Sequence, residues 1–138
     1  MNKRTAESQQ ASTGIEGLDY ILRGGLPRSR TYVVQGDPGV GKTTLGLHFL
    51  LAGAEAGEQV LYITLSQTAE ELTEITHSHG WSLENVDVLE LSRASAREQL
   101  AQRQTVIRSA DQELSEMMST VQQAIGERQP SRLVFDSI

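Results

Sequence analysis

The chain has 138 residues, a formal net charge of −6, no Cys and only six aromatic residues. That length suits about one domain, and 38% apolar residues give it a core to bury, which rules out a disordered polymer. Without Cys there are no disulfides and no thiolate metal sites, and an acidic chain lacks the basic face that draws a protein to DNA or to an acidic membrane.

In chain order, residues 1–12 are polar and read as a loose segment, with no apolar stretch of the signal-peptide kind. No apolar run approaches a bilayer span, so the expected location is cytoplasmic. Residues 13–27, from Thr13-Gly14-Ile15-Glu16-Gly17-Leu18-Asp19 to Gly24-Gly25-Leu26-Pro27, read as turns and short extended pieces. The β-rich run TYVVQ at 31–35 predicts a strand. A glycine-rich loop follows, and then a helix over 42–56, with Leu45, Phe49 and Ala52 spaced for one face.

Residues 60–65 (VLYITL) form a nearly continuous apolar run, as expected of a strand buried on both faces of a parallel sheet. Thr68-x-x-Glu71 is a capping box that opens a helix with Leu72 and Ile75 on one face and Gly80 as its stop. A strand is predicted over 86–91. The polar stretch 93–108 gives no clear reading beyond a solvated face. Ser109-x-x-Gln112 suggests a second capping box, followed by Leu114, Met117, Met118, Val121 and Ile125 at helical spacing. The Met pair reads as core filler, and Gly126 as the helix end. Residues 132–136 (RLVFD) read as a last strand. Strands alternating with helices imply βαβ units and an α/β fold.

The loop Gly36-Asp37-Pro38-Gly39-Val40-Gly41-Lys42-Thr43 fits the P-loop pattern G-x-x-x-x-G-K-S/T, in the required place between a strand and a helix. Its glycines let backbone N–H groups turn inward toward phosphate oxygens, and the following helix adds its positive end. Lys42 supplies a mobile cation for the β- and γ-phosphates. The Thr43 hydroxyl is placed to ligate Mg²⁺, and Thr44 falls near the α-phosphate. Leu133-Val134-Phe135-Asp136 has the Walker B pattern, apolar residues and then a carboxylate that holds Mg²⁺, usually through water. Lys42 and Asp136 are 94 positions apart with two predicted strands between them, a spacing that suits the RecA-like branch of P-loop proteins.

The lead-in 13–19, Gly24-Gly25-Leu26-Pro27, the P-loop, and His79-Gly80-Trp81-Ser82-Leu83 together resemble the KaiC-like ATPases, relatives of RecA and RadA. The resemblance runs from Thr13 to the last residue. It implies a RecA-like α/β P-loop domain with a mostly parallel sheet, binding ATP with Mg²⁺ and assembling into rings, often hexamers. Family members carry a pair of glutamates at the end of the strand after the P-loop, one of which activates the attacking water. Ser66 and Gln67 stand there in this chain. Gln hydrogen-bonds a water but does not take its proton, so weak hydrolysis with retained binding is expected. Lys42 and Gln67 are thus the catalytic candidates, Gln67 only by position.

The resemblance also places a further strand, next in sequence after Walker B, between the P-loop strand and the Walker B strand. The sequence given stops two residues after Asp136, which implies a domain truncated after that strand, with an open sheet and low stability unless a partner covers the gap. Two other readings stand beside an ATPase: a non-hydrolysing ATP-binding regulatory or assembly module, and a RadA-like DNA recombination ATPase. The acidic charge gives the second no support, and nucleic acid is not an expected partner. His48, His77, His79 and Trp81 read as packing or surface residues, and Asp37 as an exposed loop residue.

Overall fold

The computed structural model describes residues 9–91 and 110–137. In chain order these form β1 (Gln10–Ala11), α1 (Glu16–Ile21), β2 (Leu26–Pro27), α2 (Lys42–Glu55), β3 (Val60–Thr64), α3 (Ala69–Ser78), β4 (Asp87–Glu90), α4 (Ala110–Arg128) and β5 (Arg132–Asp136). A three-stranded parallel sheet runs in the order β4-β3-β5, with Thr64 facing Glu90 on one side and Asp136 on the other. β1 and β2 make a separate antiparallel pair. The order of elements and the parallel sheet match the α/β expectation.

β3 is the central strand and every residue in it is buried. Alternation sends its side chains to two layers. Val60 and Tyr62 pack with Leu47 and Leu50 of α2 and Leu72 of α3, while Leu61 and Ile63 pack with Val121 and Ala124 of α4. The continuous apolar run of β3 therefore reports helices on both faces.

Several sequence readings need correction. Residues 31–35 are not a strand. They lie outside regular structure with Val33 89% exposed, because among the described residues no strand stands beside the free edge of β5 for them to pair with. The face that α2 buries is Leu47, Leu50 and Gly53 rather than Leu45, Phe49 and Ala52. A helix apolar on most sides gives periodicity little to choose between, and the sheet makes the choice. Leu114, Met118 and Ile125 are exposed, so the Met pair does not fill the core. At about 28 Å, α4 is longer than the five-residue strands it covers, which span about 17 Å, and part of its apolar stripe overhangs the sheet. Gly126 lies inside α4, which ends at Arg128, before Gln129 in the left-handed region (φ 45°) and Pro130. The expected capping box at Ser109 and the stretch 93–108 lie outside the described residues.

The first capping box is present. The Thr68 hydroxyl accepts from the N–H of Glu71 (3.1 Å), and the Glu71 carboxylate accepts from the N–H of Thr68 (2.9 Å). The lead-in contains a helix, α1, where turns were expected. The carboxylate of Asp19 holds it to the preceding loop, accepting from the Ser12 hydroxyl, the Thr13 N–H and the Thr13 hydroxyl. The bend 23–25 has three successive positive φ angles, and a Cβ on Gly25 (φ 132°) would stand 2.1 Å from the Ala11 carbonyl oxygen. Gly25→Ala is therefore expected to cost about 2 kcal/mol or more, read as a lowered urea midpoint. An unchanged midpoint would show that the β1–β2 pair adds nothing to folding.

One buried charge ties the layers together. Arg132, 4% exposed, passes over Gly53 and stacks on Phe49 at 4.8 Å. Its guanidinium donates to the carbonyls of Ser12 and Phe49 and to both oxygens of Glu58. Arg28 donates to the same two oxygens at 3.0 and 2.8 Å. The hydrogen bonds from Arg28, and then those from Arg132, outweigh burial and hold the Glu58 carboxyl at about 2, below its ordinary 4.5.

Candidate functional site

The P-loop leads into α2 through Gly39 and Gly41, both at positive φ (84° and 101°). Gly41 is the N-cap of α2, in the left-handed region, with no side-chain cap and no acidic residue in the first turn. At α3, by contrast, Thr68 and Glu71 accept from each other's N–H groups, Glu90 of β4 accepts from that of Ala69 (3.2 Å), and Glu70 adds negative charge. One helix end is closed by side chains. The other leaves its donors and its positive dipole end to whatever anion occupies the loop.

Lys42 folds back over the loop, its ammonium donating to the carbonyls of Gly36 (2.7 Å) and Asp37 (3.0 Å). Those bonds lie at an exposed site, so releasing them costs the ammonium little desolvation. Asp37, Pro38, Gly39 and Val40 are exposed, and Thr44 stands next to Thr43 in the first turn of α2. Both motifs converge on one contact. The Thr43 hydroxyl donates to Asp136 Oδ2 at 2.7 Å, across 93 positions of sequence. A hydroxyl and a carboxylate at that distance are hard oxygen donors of the kind Mg²⁺ takes in nucleotide sites. The site residues therefore fit the metal, and among the described residues no His, Cys, Asp and Glu cluster offers an alternative.

Gln67 lies just beyond the end of β3. The Thr64 hydroxyl accepts from the N–H of Ser66 (3.3 Å) and of Gln67 (3.0 Å), which turns the chain at the strand end. Thr64 is the register partner of Asp136, and Gln67 follows it by three residues. Its Oε1 is buried and has no hydrogen-bond partner among the described residues. Glu71 is committed to the capping box, and Glu70 is exposed.

Sequence reasoning missed one member of the site. The Tyr62 hydroxyl donates to Asp136 Oδ2 at 2.5 Å. Tyr62 looked like another core residue of β3, and the only available signal was its parity, since it shares a strand face with Thr64. The remaining candidates pack as expected of residues without a chemical role. Trp81 is stacked on His79 (4.6 Å) and edge-on to His48 (4.5 Å) just past the end of α3. A cleft of about 530 Å³ lined by Gln10, Arg23, Arg28 and Glu58 lies toward the far end of α2 from Lys42 and holds none of the motif residues.

The family model described as "ATPase: KaiC" matches residues 11–138. A UPF0273 protein of Thermotoga maritima is 26% identical over 94% of this chain and 56% of its own length. A UPF0273 protein of Methanopyrus kandleri is 28% identical over 94% of this chain and 54% of its own length. The circadian clock oscillator protein KaiC of Thermosynechococcus vestitus is 30% identical over 97% of this chain and 26% of its own length. The chain thus spans about half the length of the UPF0273 relatives and about a quarter of that KaiC. With the family model matched over residues 11–138 and a parallel sheet in an α/β fold, the chain belongs to the KaiC ATPase family.

Proposed function

We propose that this chain binds ATP with Mg²⁺ through the loop Gly36–Thr43 and Asp136, and that it hydrolyses ATP weakly or not at all. The observation that carries the binding half is the 2.7 Å contact between Thr43 and Asp136, which joins the two motifs into one oxygen-donor site. Membership of the KaiC ATPase family supports nucleotide binding at the family level. In this reading, Lys42 leaves Gly36 and Asp37 for the β- and γ-phosphates, loop N–H groups hold the remaining oxygens, and Thr44 reaches toward the α-phosphate. The metal, when bound, neutralises phosphate charge. Thr43 and Asp136 would hold it.

The hydrolysis half rests on Gln67. Its amide orients a water without accepting the proton, so attack on the γ-phosphate has no base at this position. The chain then acts as a nucleotide-holding module in the cytoplasm, and ring assembly is carried over from the family. No described helix is long and apolar enough to cross a membrane.

Equilibrium binding of Mg-ATP, with Lys42→Ala beside it, tests the reading. Removing the ammonium is expected to weaken binding about tenfold or more, as loss of a charge-assisted contact does. Equal affinity in the two proteins would place the nucleotide elsewhere. No binding by the folded wild-type chain would remove the proposal for this chain.

A further inference from the structure

Asp136 is the residue on which both motifs close, and a third group reaches it from inside the core. Tyr62 is 0% exposed, with its ring packed among Leu47, Leu50 and Leu72. The register sets it opposite Val134, so Asp136 lies diagonally ahead, two residues toward the strand ends, on the α2 side of the sheet. The hydroxyl emerges there and donates to Asp136 Oδ2, the same oxygen that takes the Thr43 hydroxyl. Among the described residues no hydrogen bond reaches Oδ1.

We propose that Tyr62 is a positioning residue that holds the Asp136 carboxylate in one rotation through Oδ2, and so biases the site toward Mg²⁺ over the larger Ca²⁺. The inference rests on the Mg-ATP reading above and goes beyond it, because the motifs assign Tyr62 nothing. A buried phenol must donate its proton to something. With two hydroxyls on Oδ2, the carboxylate is fixed in rotation and loses its capacity to chelate through both oxygens. Mg²⁺ loses little by this, since it binds octahedrally with few carboxylate oxygens and keeps its waters. Ca²⁺ takes more oxygens and gains from bidentate carboxylates.

The test compares ATP affinity in saturating Mg²⁺ with that in saturating Ca²⁺ for the wild-type chain, Tyr62→Phe and Asp136→Asn. Using the ratio within each protein cancels any general loss of affinity. Phe fills the same space and leaves no orphan donor, and circular dichroism checks its fold. In Tyr62→Phe the Mg²⁺/Ca²⁺ ratio is expected to fall about fivefold, the scale of one hydrogen bond. In Asp136→Asn, which removes the carboxylate, the ratio is expected to fall at least as far. A ratio unchanged in Tyr62→Phe but collapsed in Asp136→Asn overturns the role of Tyr62 and leaves the metal site standing, as would equal loss with both cations. A ratio unchanged in Asp136→Asn removes the metal site, and Tyr62 with it. A wild-type chain that binds no ATP with either cation removes the nucleotide reading itself.

Discussion

Glu58→Ala is expected to destabilise the fold by about 3–5 kcal/mol, the cost of breaking a buried ion pair from one side. Both Arg132 and Arg28 lose their carboxylate, but they do not lose equally. The side chain of Arg28 is 33% exposed and turns to water, whereas that of Arg132 is 3% exposed and has nowhere to go. It keeps only the carbonyls of Ser12 and Phe49 and the Phe49 ring, none of which carries a negative charge. Arg28→Ala is accordingly expected to cost much less, within the range of exposed pairs. Urea midpoints of the two variants measure the difference, and comparable losses would mean that burial of Arg132 is not what makes Glu58 matter.

The same carboxylate makes stability depend on pH. Glu58 titrates at about 2 in the folded chain against an ordinary 4.5. A depressed carboxyl pKa stabilises the fold fully above the unfolded value, and that contribution is lost as pH falls from about 4.5 toward 2. In the wild-type chain the midpoint should drop through this window. In Glu58→Gln, which has no carboxylate to protonate, the acid limb should be flatter. Parallel acid limbs would assign the loss to other carboxylates.

These contacts show where the sequence was readable and where it was not. The P-loop was legible because its chemistry needs particular residues at consecutive positions, and Thr68 and Glu71 were legible because a capping box spans three. Asp136 was legible as a strand-end carboxylate at a suitable distance from Lys42. What could not be read were contacts made across the sheet. Glu58 and Arg132 are 74 positions apart, and so are Tyr62 and Asp136. Nothing local in QVLYITL or RLVFD marks the Tyr or the Arg as a partner. Parity held part of the answer, since Arg132, Val134 and Asp136 alternate onto one face. The α2 face and the α4 stripe failed for a different reason. Periodicity says that a helix has an apolar side, but not how far the sheet extends beneath it, and at 31–35 a β-rich composition did not supply a neighbouring strand.

Gln67→Glu is expected to raise phosphate release from bound ATP about 10²-fold, the lower end of what a positioned general base contributes. The substitution keeps the shape of the side chain and changes one property, the capacity to accept a proton. Its setting favours that change. Gln67 Oε1 is buried just beyond the end of β3, without a hydrogen-bond partner among the described residues. A carboxylate oxygen in that place has little solvation, which pushes its pKa upward, toward the range in which a base works near neutral pH. The gain should therefore grow with pH through the new carboxyl's titration and then level off, a limb that the wild-type chain lacks. Single-turnover phosphate release across pH, with ATP binding measured in parallel, reads this directly. Should both proteins bind ATP and release nothing, a missing base does not account for silence, and the chain is a holding module for reasons beyond position 67. Fast turnover by the wild-type chain, slowed in the variant, would make Gln67 itself the water-orienting residue and overturn the weak-hydrolysis half of the proposal.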